Sequence, residues 1–336
     1  MVNETLPPRL FPREHGVGVT QPAISRRRRP RRLLKAGDHV AAETSALVFP
    51  EFDPVLISIG PLPIRWYALA YVAGLGLGWW YAARLAKSVA AWSPNRPPLT
   101  SVQLDDLVMW VALGVIGGGR LGFALFYKPE LYAQLFTGPD NLALFRLWDG
   151  GMSFHGGLIG VCLAIFFHAR AVKAPLLSVG DLVAPAVPIG LFFGRLANFI
   201  NGELWGRPTD VPWAIRFCND RILETWGRCP AGDVPRHPSQ LYEAGLEGLL
   251  LFGLLWVAVW KWRLLSKPGY VTGIFLTWYG LSRAVLETVR EPDAHMPAML
   301  RDTVTMGMLL SIPMILIGVW LIWRARSRPP VIAPAA

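Results

Sequence analysis

Leu104-Asp105-Asp106-Leu107-Val108-Met109-Trp110-Val111-Ala112-Leu113-Gly114-Val115-Ile116-Gly117-Gly118-Gly119-Arg120-Leu121-Gly122-Phe123-Ala124-Leu125-Phe126-Tyr127 decides the architecture. A hydrocarbon core about 30 Å thick takes about 20 mostly apolar residues per helix, and this stretch supplies them between two acids and one arginine. Six further stretches read the same way, so the spans expected are 66–86, 104–127, 152–172, 179–200, 240–260, 270–290 and 303–323. Composition agrees: 53% of residues are hydrophobic and 17% charged, against about 25% charged in a soluble domain. That deficit excludes a disordered chain and a nucleic-acid-binding domain, despite a net charge of +10 and a pI near 9.9. The fold class expected is an all-α polytopic membrane protein of seven helices with a small extracytoplasmic cap over 201–238.

Local signals fill in this frame. Asp105 and Asp106 fall where the second helix begins, Ser178 with Asp181 reads as a capping box for the fourth, and Gly74-x-Gly76-x-Gly78 and Gly117-Gly118-Gly119 permit close helix contact. Short connections rich in Lys and Arg mark the cytoplasmic side: Arg84, Lys87 and Arg96; Arg170 and Lys173; Lys261, Arg263 and Lys267; Arg324, Arg326 and Arg328. The opposite connections hold only Lys128 and Arg146, then Arg290 and Arg301. The C-terminus, with its short tail 326–336, is therefore expected in the cytoplasm. Residues 1–49 carry nine Lys/Arg and four Asp/Glu, 9 − 4 = +5. They are expected as a disordered basic extension, with the true start left open; the membrane domain is 50–325.

Within 201–238, Val211, Trp213, Ile215 and Phe217 alternate at a period of two, as in a strand with one covered face. Cys218 and Cys229 both fall there, either as a disulfide or as two free thiols. Cys162 reads as a buried filler. His155, His168, His237 and His295 stand apart without ligand spacing, so no metal and no cofactor is expected.

Tracking helix direction places the polar residues at one depth. Arg65 and Tyr67 open the first helix, Arg120 ends the second, His155 opens the third, and Arg195 and Asn198 close the fourth with Glu203 just beyond. Tyr242 and Glu243 open the fifth, and Arg283, Glu287 and Arg290 close the sixth. Ionisable groups inside spans are costly and point to function. Collected in the outer half of the bundle, they describe a pocket toward the outer leaflet, and several arginines tempered by Glu and Asn suit a phosphate. A phosphate at that depth belongs to a lipid head group. A lipid carrier would use the same pocket, but no internal repeat is visible; a phosphatase or intramembrane protease lacks its metal or serine motif.

The motifs carrying these groups resemble one family. Gly194-Arg195-Leu196-Ala197-Asn198-Phe199-Ile200-Asn201-Gly202-Glu203-Leu204-Trp205-Gly206-Arg207 is similar to the signature of prolipoprotein diacylglyceryl transferases. Ile64-Arg65-Trp66-Tyr67, Gly118-Gly119-Arg120-Leu121-Gly122, Met152 through Gly160, Arg236 through Glu243, and Tyr279-Gly280-Leu281-Ser282-Arg283 accompany it in order, with Glu287 and Arg290 behind. One departure is Ala197, where the family has glycine. The resemblance implies an enzyme of the bacterial inner membrane that moves the sn-1,2-diacylglyceryl group of phosphatidylglycerol to the lipobox cysteine of a preprolipoprotein, leaving a thioether and glycerol 1-phosphate.

That chemistry needs a thiolate and a held phosphate. Arg195 and Arg283 are expected to clamp the phosphate with Arg120 and Arg290 assisting, or else some of these arginines neutralise Glu203, Glu243 and Glu287 structurally. His155 is either the base for the thiol or a group orienting the head group. Asn198 is read as a donor to phosphate or glycerol, Tyr67 as a pocket or belt tyrosine, and the three glutamates as holding the arginine forks. A monomer is the default; the preprolipoproteins served and the acyl-chain preference leave no mark in the sequence.

Overall fold

The computed structural model describes residues 46–53, 55–60, 62–137, 142–291 and 305–327. The extension 1–45, His295, Arg301 and the tail 328–336 lie outside the described residues. The chain starts with β1 (Leu47–Val48) and a hairpin of β2 (Val55–Ile59) and β3 (Leu62–Arg65), turning at Gly60 with φ +59°. Helices follow: α1 (Trp66–Lys87), α2 (Val89–Trp92), α3 (Ser101–Tyr127) and α4 (Glu130–Thr137), then two short 3-10 turns and α5 (Phe154–Ala171). Next come α6 (Leu176–Val183) and α7 (Val187–Ile200), β4 (Ile215–Arg216), α8 (Asp220–Trp226) and β5 (Pro235–Arg236). A continuous segment of α9 (Ser239–Glu243), a π-helical stretch Ala244–Leu250 and α10 (Leu251–Trp260) precedes α11 (Tyr270–Leu286) and α12 (Met306–Arg326).

Helix occurs at each of the seven expected stretches, yet among the described residues length and apolarity alone qualify four as membrane spans: α3, α5, Ser239–Trp260 and α12. A fifth qualifies if α6 and α7, bent by 41°, are one span. The bend falls at Pro185 and Pro188, each lacking the N–H that would continue the ladder. Tyr270–Leu286 is 17 residues long, and the Trp and Tyr of α1, with Arg84 and Lys87 in its last turn, dilute its hydropathy. Only 17–44% of the residues in the 18-residue apolar window of each qualifying helix are buried, which leaves apolar side chains exposed along it, as lipid-facing helices require. The chain is a polytopic membrane protein.

Several local expectations need correction. Helix α3 begins at Ser101, where Thr100 and Gln103 form the capping box; Asp105 lies deeper and accepts a hydrogen bond from Trp79 Nε1 at 2.7 Å. Ser178 does not cap its helix, whose N-cap is Pro175. Asp181, fully buried, accepts from the Gly269 N–H at 2.6 Å and from the N–H and hydroxyl of Thr272 at 2.7 and 2.8 Å, so it caps α11 from a neighbouring helix. Cys162 is exposed, because α5 turns Gly156, Gly160 and Ala164 toward α3.

The strand expected over 211–217 shrinks to Ile215–Arg216, since Pro212 supplies no N–H and a turn closes from Ala214 N–H to the Val211 carbonyl. It pairs parallel with β1 and antiparallel with β5. Ile215 and Phe217 join Phe49 and Ala231 in a small core, whereas Trp213 is exposed. Cys218 and Cys229 form a disulfide, with Cα atoms 5.3 Å apart. The main core gathers Tyr81, Leu85, Trp92, Leu107, Leu182, Leu255 and Val271 from α1, α2, α3, α6, α10 and α11.

Candidate functional site: an arginine–glutamate cluster

Helix α7 carries Arg195 and Asn198 one turn before its end, and it packs along α1 and the π-helical stretch. Gly248 permits the second contact, since a Cβ there would meet the Phe192 backbone within 2.9 Å. Helix α11 ends at Leu286, earlier than the expected 290. Its chain then crosses to Gly206, where the Arg207 N–H donates to the Val289 carbonyl at 2.8 Å and Arg207 Nε to the Arg290 carbonyl at 2.8 Å. Arg290 thus reaches the cluster from beyond the helix rather than from its face.

Three guanidiniums converge on Glu243, whose side chain is fully buried. Arg195 Nη2 lies 2.7 Å from its Oε2, Arg290 Nη1 3.2 Å and Arg283 Nη1 3.8 Å. Glu287 takes Arg283 Nη2 at 2.6 Å and lies 3.9 Å from Arg290 Nε. Arg195 also lies 3.6 Å from Glu247, a second fully buried carboxylate. Buried charges demand such partners. The arginine side chains are 18%, 19% and 12% exposed at Arg195, Arg283 and Arg290, so they are mostly buried but retain some access, whereas Glu243 and Glu247 have none.

A second group sits beside it. Buried Asn198 donates its amide to Glu203 Oε1 at 2.8 Å, and Gln240 Nε2 donates to the Glu203 carbonyl at 2.5 Å. The Tyr67 hydroxyl meets that of Tyr71 at 3.2 Å and lies within electrostatic range of Arg195 and Glu203. His237, outside the spans, contacts the Tyr242 hydroxyl through Nδ1 at 3.3 Å, and partial burial lowers its pKa. Its backbone brackets Gly206 through the Gly206 N–H at 2.9 Å.

Arg120 and His155 fall elsewhere. The Arg120 guanidinium is buried under the loop before α5, donating to the carbonyls of Leu144 and Ala143 at 2.8 Å each, Gly151 at 3.3 Å and Gly150. His155 is exposed at the second position of α5 with its ring against Phe154, outside the ion-paired cluster. The structure therefore brings together Arg195, Asn198, Glu203, Glu243, Glu287, Arg283, Arg290 and Tyr67, and not Arg120 or His155. It adds Glu247 and Tyr279, which lies within electrostatic range of Arg195, Arg283, Glu243 and Glu247. The signal for Glu247 is its spacing: Glu243 and Glu247 are i,i+4 inside an apolar span. Among the described residues no cluster of His, Cys, Asp or Glu is arranged to hold a metal.

The family model of prolipoprotein diacylglyceryl transferase matches residues 54–324. A phosphatidylglycerol–prolipoprotein diacylglyceryl transferase of Phenylobacterium zucineum is 57% identical over 289 residues, 85% of this chain and 98% of the relative. Those of Caulobacter vibrioides and Brucella anthropi are 51% and 50% identical, over 84% of this chain in each case and 96% and 94% of the relatives.

Proposed function

Because the chain belongs to the prolipoprotein diacylglyceryl transferase family, we propose that the arginine–glutamate cluster is where a lipid phosphate is held while the diacylglyceryl group leaves it. The enzyme transfers the diacylglyceryl group of phosphatidylglycerol to the lipobox thiol of a preprolipoprotein, the first step of lipoprotein maturation. A carbon–sulfur bond forms and a carbon–oxygen bond breaks; the bonding pair stays on the phosphate oxygen, and the thiol proton is given up.

The observation that carries the site is the meeting of Arg195 and Arg283, from helices 88 residues apart in sequence (283 − 195), at one carboxylate oxygen, 2.7 and 3.8 Å away. Glu243 holds the Arg195 fork and Glu287 that of Arg283, and charge developing on the leaving phosphate strengthens contacts already oriented for it. Arg290 and Glu287 complete the set. Asn198, fixed by Glu203, and Tyr67 line the side toward α1 and contact the glycerol portion. Arg120 acts through the loop it binds. His155, exposed on α5, takes the thiol proton or orients the head group as the peptide arrives.

The seven helical segments are read as seven crossings. Arg84 and Lys87, Arg170, and Arg324 and Arg326 lie in the last turns of α1, α5 and α12, which supports a cytoplasmic position for those ends and for the C-terminus. The cluster then opens toward the outer leaflet under the cap of β1, β4 and β5, as one chain acting alone. Incubating the purified protein with phosphatidylglycerol and a lipobox peptide tests the activity. A diacylglyceryl mass increment on the peptide cysteine, with glycerol 1-phosphate released, is expected; lipid scrambling without an adduct contradicts it.

A further inference from the structure

Three arginines, Arg195, Arg283 and Arg290, are ion-paired with Glu243, Glu247 and Glu287, so the formal charge of this ion-paired set is 3 − 3 = 0, Glu203 lying beside it on the Asn198 amide. The three carboxylates are not equivalent. Glu243 is approached by all three guanidiniums and accepts hydrogen bonds from Arg290 at 3.2 and 3.4 Å. Glu287 pairs with Arg283 at 2.6 Å. Glu247 is fully buried, and neither of its carboxylate oxygens has a hydrogen-bond partner among the described residues. Its nearest cation is Arg195, at 3.6 Å. Arg283 Nη1, buried nearby, likewise makes no hydrogen bond.

Among the described residues, the elements packed most closely on the π-helical stretch bring the following charged and titratable groups toward Glu247. Helix α7 brings Arg195, and α9 brings Glu243 together with Tyr242, whose hydroxyl is engaged by Trp213 and His237. Helix α11 brings Arg283 and Tyr279, with Arg290 beyond its end, and α10 contains no titratable residue.

A lipid phosphodiester carries one negative charge. Bringing it to the guanidiniums leaves a neutral, poorly hydrated cluster with an unbalanced charge, which burial strongly disfavours. Taking up a proton restores neutrality, and the carboxylate whose charged form has the fewest hydrogen bonds accepts it at least cost. Resting on the lipid-phosphate reading of this site, we propose that Glu247 takes up a proton as the phosphate enters and releases it when the phosphate product leaves. Protonation also frees Arg195 from its second carboxylate, so its fork turns to the phosphate. Glu247 is thus a positioning residue acting through Arg195.

Titration calorimetry of the full chain in detergent with dihexanoyl phosphatidylglycerol, in two buffers of different ionisation enthalpy at one pH, counts the protons. About one proton is expected to be taken up per lipid bound, with affinity falling as pH rises. Glu247→Gln is expected to bind with almost no uptake, and Glu247→Asp to retain it. Uptake absent from the wild type, or unchanged in Glu247→Gln, overturns the proposal. Should Glu247→Gln fail to fold, infrared difference spectra of the wild type decide: a protonated-carboxyl band gained on lipid binding supports the proposal, and its absence overturns it. If the wild type binds no lipid, the phosphate reading of the site fails and the proton inference falls with it.

Discussion

At the scale of single residues, two arginines at similar reckoned depth have opposite surroundings. Arg195 is partly exposed and paired with carboxylates, while Arg120 is buried among four backbone carbonyls and lies over the Phe123 ring at 5.7 Å. Depth along a helix is legible from sequence, because it follows from direction and rise per residue. The side of the helix a residue faces depends on the neighbours it packs against. Arg120 therefore reads as a fourth phosphate ligand until its loop is seen, whereas Arg195, Arg283 and Glu243 are legible as one set. Glu247 lies i,i+4 from Glu243 inside the same apolar span, so its place in the set follows from spacing although it lies outside the motifs.

The two arginines should respond differently to lysine, which keeps the charge and loses the fork. Arg195→Lys is expected to lower kcat/KM for transfer at least tenfold, about 1.4 kcal/mol, with little change in thermal midpoint. Arg120→Lys leaves buried carbonyls unpaired at about 1–3 kcal/mol each and should lower the midpoint first. Activity and detergent melting curves for both variants check this; equal loss of activity with unchanged melting would place Arg120 in the substrate site.

Among elements, the α3–α5 pair shows how sequence patterns become contacts. Gly114, Gly118 and Gly122 on α3 interleave with Gly156 and Gly160 on α5 so closely that a Cβ at Gly118 would lie 2.9 Å from the Gly160 Cα. Gly117, one position away, has nothing within 4 Å of its added Cβ. The Gly117-Gly118-Gly119 run thus signals close packing without revealing which glycine makes it. Gly118→Leu is expected to push the helices apart and lower stability by about 1–3 kcal/mol, while Gly117→Leu should be close to neutral; melting curves in detergent distinguish them. Asp181 gives a parallel lesson. Its capping chemistry is readable, but the helix it caps is 88 residues downstream, and only packing reveals that (269 − 181). The bend at Pro185 and Pro188 and the crossing of Arg290 to Gly206 likewise arise where backbone donors or partners change.

For the whole molecule, apolar runs reveal where helices lie, and each of the seven stretches contains helix among the described residues. The runs are weaker guides to span count, since helix α1 mixes aromatics with glycine and α11 stops at Leu286. The small sheet was legible only as alternation around 211–217, because its partners β1 and β5 are two-residue strands, the first of them far off at Leu47–Val48. What the tertiary structure adds is a formally neutral ion-paired set in which partly exposed guanidiniums meet buried carboxylates, built from α7, α9, the π-helical stretch and α11. The most direct test is photocrosslinking of the full chain in native membranes with phosphatidylglycerol bearing a diazirine on its head group, mapped by peptide mass spectrometry. Label is predicted on peptides containing Arg195–Gly206, Ser239–Leu250 and Tyr279–Arg290; label confined to the Ala143–Gly160 region, leaving those three unmarked, would contradict it.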